Sequence, residues 1–176
     1  MSHRIYSLQQ IQIWDEAWCL RFNRASVYPP IRKAFRLISR LGDGIFWYCL
    51  MLWLLVRYQS AALLPVLHMA AAGLVCTVLY KWLKRKTHRL RPFDKNQGIN
   101  CGIAPLDQFS FPSGHTLHAV AFSVVALAYY PALAWLVLPF TALVAVSRLV
   151  LGLHYPSDVL AGIVIGATVS GLSLNF

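Results

Sequence analysis

Long apolar runs, separated by short clusters of charge, organise most of this chain. The first, Ile45 to Val56, has twelve residues. As a helix it would rise only about 18 Å, short of the ~30 Å hydrocarbon core of a bilayer, so Leu41 and Tyr58 must extend it or the helix begins in the interface. Ala61 to Tyr80 carries no formal charge over twenty residues, which is long enough to span. From Thr116 to Ser147 there is no Lys, Arg, Asp or Glu, and Tyr129-Tyr130-Pro131 breaks this stretch near its middle. The pattern predicts helices over 113–130 and 132–151, the second kinked at Pro139. A last helix is predicted from Pro156, a residue suited to the first helical position, to about Leu174. Backbone groups in lipid need internal partners. The expected architecture is therefore all-α, a polytopic membrane bundle of about five transmembrane helices.

Ahead of these runs the period changes. Ile31, Ala34, Phe35, Ile38 and Leu41 recur at helical spacing after Pro29-Pro30, with Arg32, Lys33, Arg36 and Arg40 on the other side. Such a basic amphipathic helix suits the headgroup layer or packs on the bundle. Leu8, Ile11, Trp14, Trp18 and Phe22 form a weaker stripe upstream. Gly42-Asp43-Gly44 ends the pattern, dividing a single domain into an amphipathic region, 1–41, and a helix bundle, 42–176.

Composition sharpens this picture. Of 176 residues, 58% are hydrophobic and 12% charged, about half the usual charged share of a soluble domain. A fold this small cannot hide so much apolar surface from water. The net charge of +10 comes from clustered Lys and Arg, which points to anionic headgroups or phosphate. The clusters flank membrane-grade segments and match no nucleic-acid-binding motif, so no nucleic acid partner is expected. Cys19, Cys49, Cys76 and Cys101 lie in separate segments without paired spacing, which implies neither a disulfide framework nor a metal site. The first thirty positions carry charge where a cleavable signal peptide needs an apolar stretch, so none is expected.

Three polar clusters interrupt the apolar chain at helix ends. They are Lys84 to Pro92, Pro112-Ser113-Gly114-His115, and Ser147-Arg148 with His154 and Asp158. The second span ends at the first cluster, the third starts at the second, and the fourth returns to deliver the last, so all three meet at one membrane face. Ionisable groups gathered there mark a functional site. Lys84, Arg91 and Arg148 supply cations, while Ser113 and the amides after it supply neutral donors. Gly114 leaves room for an anion at the positive end of a helix. Together they form a cradle for a tetrahedral oxyanion. Of the two histidines, His154 has Asp158 one turn on to orient its ring, which suits a nucleophile; His115, in the cradle, suits a general acid. These residues do not by themselves rank the two securely. Asp158, Gly162, Gly166 and Ser170, spaced by four, predict a tightly packed inward helix face. Lys81, Arg85, Lys86 and Arg89 read as a juxtamembrane basic flank, His68 as a packing residue, and His118 lies one turn beyond His115.

Lys-x6-Arg-Pro, Pro-Ser-Gly-His and Ser-Arg-x5-His-x3-Asp resemble the signature motifs of the type 2 phosphatidic acid phosphatase superfamily, with all eleven specified residues present. The resemblance implies a membrane lipid phosphatase needing no metal or cofactor. In it His154 forms a phosphohistidine that water hydrolyses, and Lys84, Arg91, Ser113, Gly114, His115 and Arg148 hold the phosphoryl group. The expected partners are membrane lipids and a lipid phosphate or pyrophosphate substrate, such as undecaprenyl pyrophosphate, phosphatidylglycerophosphate, phosphatidic acid or lipid A. A lipid phosphotransferase on the same scaffold is the alternative. An anion transporter gives no reason for the His-x3-Asp pair beside a second histidine, and the haloperoxidase branch is soluble. The positive-inside rule would put the basic face in the cytoplasm. The resemblance instead favours a bacterial inner membrane with the site facing the periplasm.

Overall fold

The computed structural model describes residues 2–175, with side chains from residue 9 onward; Leu8 of the upstream stripe lies outside the described side chains. All regular structure among the described residues is helical: α1 (Ser2–Asn23), α2 (Pro29–Arg40), α3 (Phe46–Tyr58), α4 (Leu63–Thr87), the single turn α5 (Pro92–Lys95), α6 (Gly114–Tyr129), α7 (Ala134–Val150) and α8 (Pro156–Ser173). Three helical stretches are long and apolar enough to cross a membrane: Pro29–Lys95, which contains α3 and α4, Pro131–Val150, and Pro156–Ser173. α6 is apolar but shorter.

The element boundaries follow the sequence pattern with one instructive exception. The second span, expected over 61–80, continues to Thr87 before His88 closes it in a left-handed conformation (φ 47°). Hydropathy marks where lipid ends, whereas Lys and Arg are good helix formers. The helix therefore runs on past the apolar segment and carries Lys84 with it. A wide π-helical turn, Leu41–Ile45, joins α2 to α3, and Gly44 within it takes φ 131°, a value that favours glycine.

Trp47 and Leu54 of α3, Met69 of α4, Phe122 and Val125 of α6, and Val137 and Val144 of α7 form the main core. Around it, Leu52, Val56, Leu64, Leu74, Trp135 and Val164 face outward. A sheath of large apolar side chains is what a bilayer, rather than water, accommodates.

α1 inverts the simple amphipathic expectation. Its apolar residues Ile11, Trp14 and Trp18 are exposed, while Asp15, Cys19 and Asn23 are buried against the bundle. α2 packs on α7 through half-buried Phe35 and Ile38 and buried Ser39, and it leaves Ile31, Ala34 and Leu37 exposed.

The expected ladder on α8 is realised, since Asp158, Gly162, Gly166 and Ser170 are all buried. α8 pairs with α6 so closely that a Cβ on Gly162 would lie 2.8 Å from the Ser113 carbonyl oxygen, and one on Gly166 2.4 Å from that of Leu117. Backbone cannot swing aside as a side chain can. Gly166→Leu should therefore lower thermal stability in detergent by several degrees, consistent with an overpacking cost of ~1–3 kcal/mol or more. Gly171→Ala, where a Cβ meets nothing within 4 Å, should be neutral or slightly stabilising.

Candidate active site

Each polar cluster sits where local sequence ends a helix or forces the chain to extend. Arg91 is extended (φ −74°, ψ 156°) ahead of Pro92, which opens α5; a following proline disfavours helical backbone at this position. Ser113 takes φ −71°, ψ 103° as the residue before α6. Arg148 lies in the last turn of α7. The chain then turns sharply, with Leu153 N and His154 N both donating to the Arg148 carbonyl and Gly152 at φ 71°. A Cβ on Gly152 would approach Asn100 O to 2.7 Å, so this turn also needs glycine for space.

The result is a cavity of about 900 Å³ whose lining includes Lys84, Arg91, Gly114, His115, Arg148 and His154. Two expected members are absent from that wall. Ser113 is buried, and its hydroxyl is bonded to Thr116 Oγ1 at 2.9 Å. Its backbone N–H donates to Asp158 O. Asp158 stands behind His154, fully buried.

His154 is 1% exposed. Arg91 Nη1 lies 3.4 Å from His154 Nε2. A guanidinium can only donate, so Nε2 presents its lone pair and the proton of the neutral ring belongs on Nδ1. Nδ1 faces Asp158 Oδ2 at 3.7 Å and has no hydrogen-bond partner among the described residues. The expected orienting pair is thus adjacent but not closed. Asp158 Oδ2 already accepts from Tyr155 N at 2.8 Å, the price of capping α8. Burial, then Arg91, Arg148, Lys84 and His115, hold the His154 imidazole well below its usual pKa, so the ring is neutral at pH 7.

The cations are as deeply set. Lys84, Arg91 and Arg148 are 5%, 2% and 3% exposed. Asp107 Oδ1 accepts from Lys84 Nζ at 2.8 Å and from Arg91 Nη2 at 2.7 Å. Its backbone oxygen accepts from Arg91 Nε at 3.0 Å. Burial pushes the Asp107 carboxyl up, but Lys84 and Arg91 outweigh this and hold it below the usual carboxylate range. Arg148 donates to Ser39 Oγ of α2, and its Nε lacks a partner among the described residues.

Sequence reasoning missed three of the carboxylates, Asp15, Asp43 and Asp107. His115, read as having no acid in its motif, pairs through Nε2 with Asp43 Oδ1 from the π-helical turn. Asp107 was not singled out. Arg89, read as basic flank, instead donates to Asp15 Oδ2 and Asp158 Oδ1, each at 2.6 Å, and stacks 4.2 Å from the Tyr155 ring centre. The signal was rarity. With six acids against sixteen Lys and Arg, each carboxylate is a scarce neutraliser. His118 lines the cavity, within 3.0 Å of Thr77 Oγ1 and 2.8 Å of Gly114 O. His68 packs as expected, meeting Tyr129 Oη at 3.0 Å and Ser173 Oγ at 2.8 Å.

Comparison with known proteins identifies the family. The family model of the PAP2 superfamily matches residues 61–176. The decaprenylphosphoryl-5-phosphoribose phosphatase of Mycobacterium tuberculosis is 32% identical over 151 residues, covering 82% of this chain and 79% of that protein. Among solved structures, Aquifex aeolicus LpxE superposes with a TM-score of 0.75 at 26% identity, over 88% of this chain and 93% of LpxE. The transmembrane PAP2-type phosphatidylglycerolphosphate phosphatase of Bacillus subtilis gives a TM-score of 0.67 at 26% identity, over 95% of this chain and 86% of that one. This chain belongs to the PAP2 superfamily and is an integral-membrane phosphatase within it.

Proposed function

We propose that this protein removes phosphate from a lipid phosphate or pyrophosphate without a metal, through a phosphohistidine at His154. The observation that carries the reading is that one cavity collects Lys84, Arg91, Arg148, His115 and the unprotonated Nε2 face of His154. His154 Nε2 attacks phosphorus and the bond to the leaving oxygen breaks, with His115 donating the proton that oxygen needs. Water, deprotonated by His115, then attacks the phosphohistidine, releasing phosphate and free His154. Lys84, Arg91 and Arg148 bear the charge on the non-bridging oxygens, the main protein task in phosphoryl transfer. Asp107 shares Lys84 and Arg91, so an incoming phosphoryl group competes with it. Asp158, behind His154, stabilises the positive charge the ring acquires on attack. Asp43 orients His115.

The substrate is an amphiphile. Beyond the charged end, the cavity wall continues along α3 and α4 through Tyr48, Met51, Ala70 and Leu74, and Leu74 is among the outward-facing apolar residues. An acyl or prenyl chain can stay in the bilayer while its headgroup enters the cradle. The relatives' names point to polyprenyl-linked or glycerophospholipid phosphates, the classes on which a substrate panel should centre. Labelled phosphate on a lipid acceptor, instead of free in solution, would indicate the phosphotransferase alternative. We place the protein in a bacterial inner membrane with this face in the periplasm.

Vanadate, which mimics five-coordinate phosphorus, should inhibit purified protein, while EDTA should leave the rate unchanged; strong loss in EDTA would refute the metal-free reading. His154→Ala should abolish turnover and the acid-quenched phosphoenzyme formed from labelled substrate. His115→Ala should slow hydrolysis of natural lipids by ~10²–10⁴ and that of an activated aryl phosphate much less. Exposed Cys101, in a Cys49→Ser background, should react with a membrane-impermeant maleimide in intact cells. Protection until lysis would place the site in the cytoplasm.

A further inference from the structure

The first helix makes an unusual set of contacts for an amphipathic segment. Asp15, Cys19 and Asn23, spaced by four, point from α1 at the loop between α7 and α8 that carries His154. Asn23 Nδ2 donates to Val150 O and Asn100 O at 2.9 Å each, and Asn100 N returns a bond to Asn23 Oδ1 at 2.8 Å. Cys19 Sγ lies 3.9 Å from the His154 carbonyl oxygen. Asp15 Oδ1 accepts from Ser157 N at 2.9 Å, at the positive end of α8. This helix therefore grips both ends of the loop and touches its middle.

Asp15 does more than fasten the chain. It is fully buried, and its other oxygen takes Arg89 Nη2 at 2.6 Å. Arg89 Nη1 in turn reaches Asp158 Oδ1 at 2.6 Å and Ser157 Oγ at 2.8 Å. A planar fork held on two carboxylates, with its face on Tyr155, has one geometry available, which lysine could not copy. Both oxygens of Asp158 are thereby committed, one to Arg89 and one to Tyr155 N. The Oδ2 edge nevertheless stands 3.7 Å from Nδ1 of His154, which has no hydrogen-bond partner among the described residues.

We propose that Asp15 is a positioning residue for the nucleophile, acting on His154 through Arg89 and Asp158, so that the N-terminal helix completes the active site. The proposal rests on the reading of His154 as nucleophile. When His154 Nε2 bonds phosphorus, its ring becomes cationic and Asp158 must answer that charge. Arg89 competes for the same carboxylate. Asp15 draws half of the guanidinium to itself and so leaves more of the Asp158 charge to answer the ring. Without the Asp15 charge, Arg89 bears wholly on Asp158, and the imidazolium loses stabilisation during chemistry. The cradle formed by Lys84, Arg91 and Arg148 is untouched.

The test uses full-length protein in detergent. Asp15→Asn keeps the shape and an acceptor for Ser157 N. It should lower kcat by about tenfold, the lower end of the effect of losing an outer partner, because Asp15 acts through Arg89 and Asp158 and not on the ring itself. KM and competitive inhibition by inorganic phosphate should stay within about twofold, the scatter expected of sites that do not couple. Arg89→Lys, which keeps the charge but not the fork, should show the same split and offers a second route should Asp15→Asn not accumulate. Asp15→Asn combined with Arg89→Gln should lose little more than Arg89→Gln alone, because both act through one guanidinium. A wild-type kcat in Asp15→Asn, losses that multiply in the double variant, or phosphate inhibition that weakens in step with kcat would each overturn the proposal. His154→Ala separates the cases: if it abolishes turnover while Asp15→Asn is fully active, the nucleophile stands and only the role of Asp15 falls.

Discussion

Buried positive charge is the constraint around which this structure is built. Lys84, Arg91 and Arg148 are almost sealed from solvent, at the end of a helix bundle whose flanks are apolar. Unpaired cations in such a place cost several kcal/mol each after relaxation, so they persist only where carboxylates or carbonyls answer them. Asp107 answers Lys84 and Arg91 together, and the carbonyls of Phe109 and Leu153 take one bond from each. Arg148 is answered least, with a bond to Ser39 and an Nε that has no partner among the described residues. This imbalance leaves the cavity short of negative charge.

That arrangement needs helices brought closer than ordinary side chains permit. Gly162 and Gly166 let α8 lie against the backbone of α6, and the same contact lets Ser113 N bond the Asp158 carbonyl. One close pairing therefore aligns the start of α6, carrying Gly114 and His115, with the start of α8, carrying Asp158. α4 brings Lys84 because it outlasts its apolar segment, which ends at Tyr80, by about two turns. The contacts that pack the bundle therefore also shape the cavity.

Carboxylates sort the two histidines by environment. His115 meets Asp43, which is open to the cavity, whereas His154 backs onto an acid already shared with Arg89 and the cap of α8. Enzymes commonly separate paired roles in this way. The cost is that the residues around His154 depend on α1, a helix whose exposed Ile11, Trp14 and Trp18 otherwise suggest only a membrane-surface anchor.

The amino-acid sequence alone determined the all-helical membrane architecture, the positions of the helices to within a few residues, and the three polar motifs. Each of these is a local property: apolar run length, helical period, or residue spacing within one segment. The ladder from Asp158 to Ser170 was legible for the same reason, since four-residue spacing places side chains on one face of one helix. Of the carboxylate partners, only Asp158 beside His154 was legible, four residues on in the same segment; the others were not. Asp43 lies 72 residues from His115 and Asp15 lies 74 from Arg89, and no periodicity links such pairs. Ser113 looked like a cradle donor from its motif, yet packing turned its hydroxyl to Thr116. Arg89 looked like a membrane flank from its neighbours, yet a buried acid on each side claimed it. Charge neutralisation acts through space between helices, so only the tertiary structure could decide which acid serves which base.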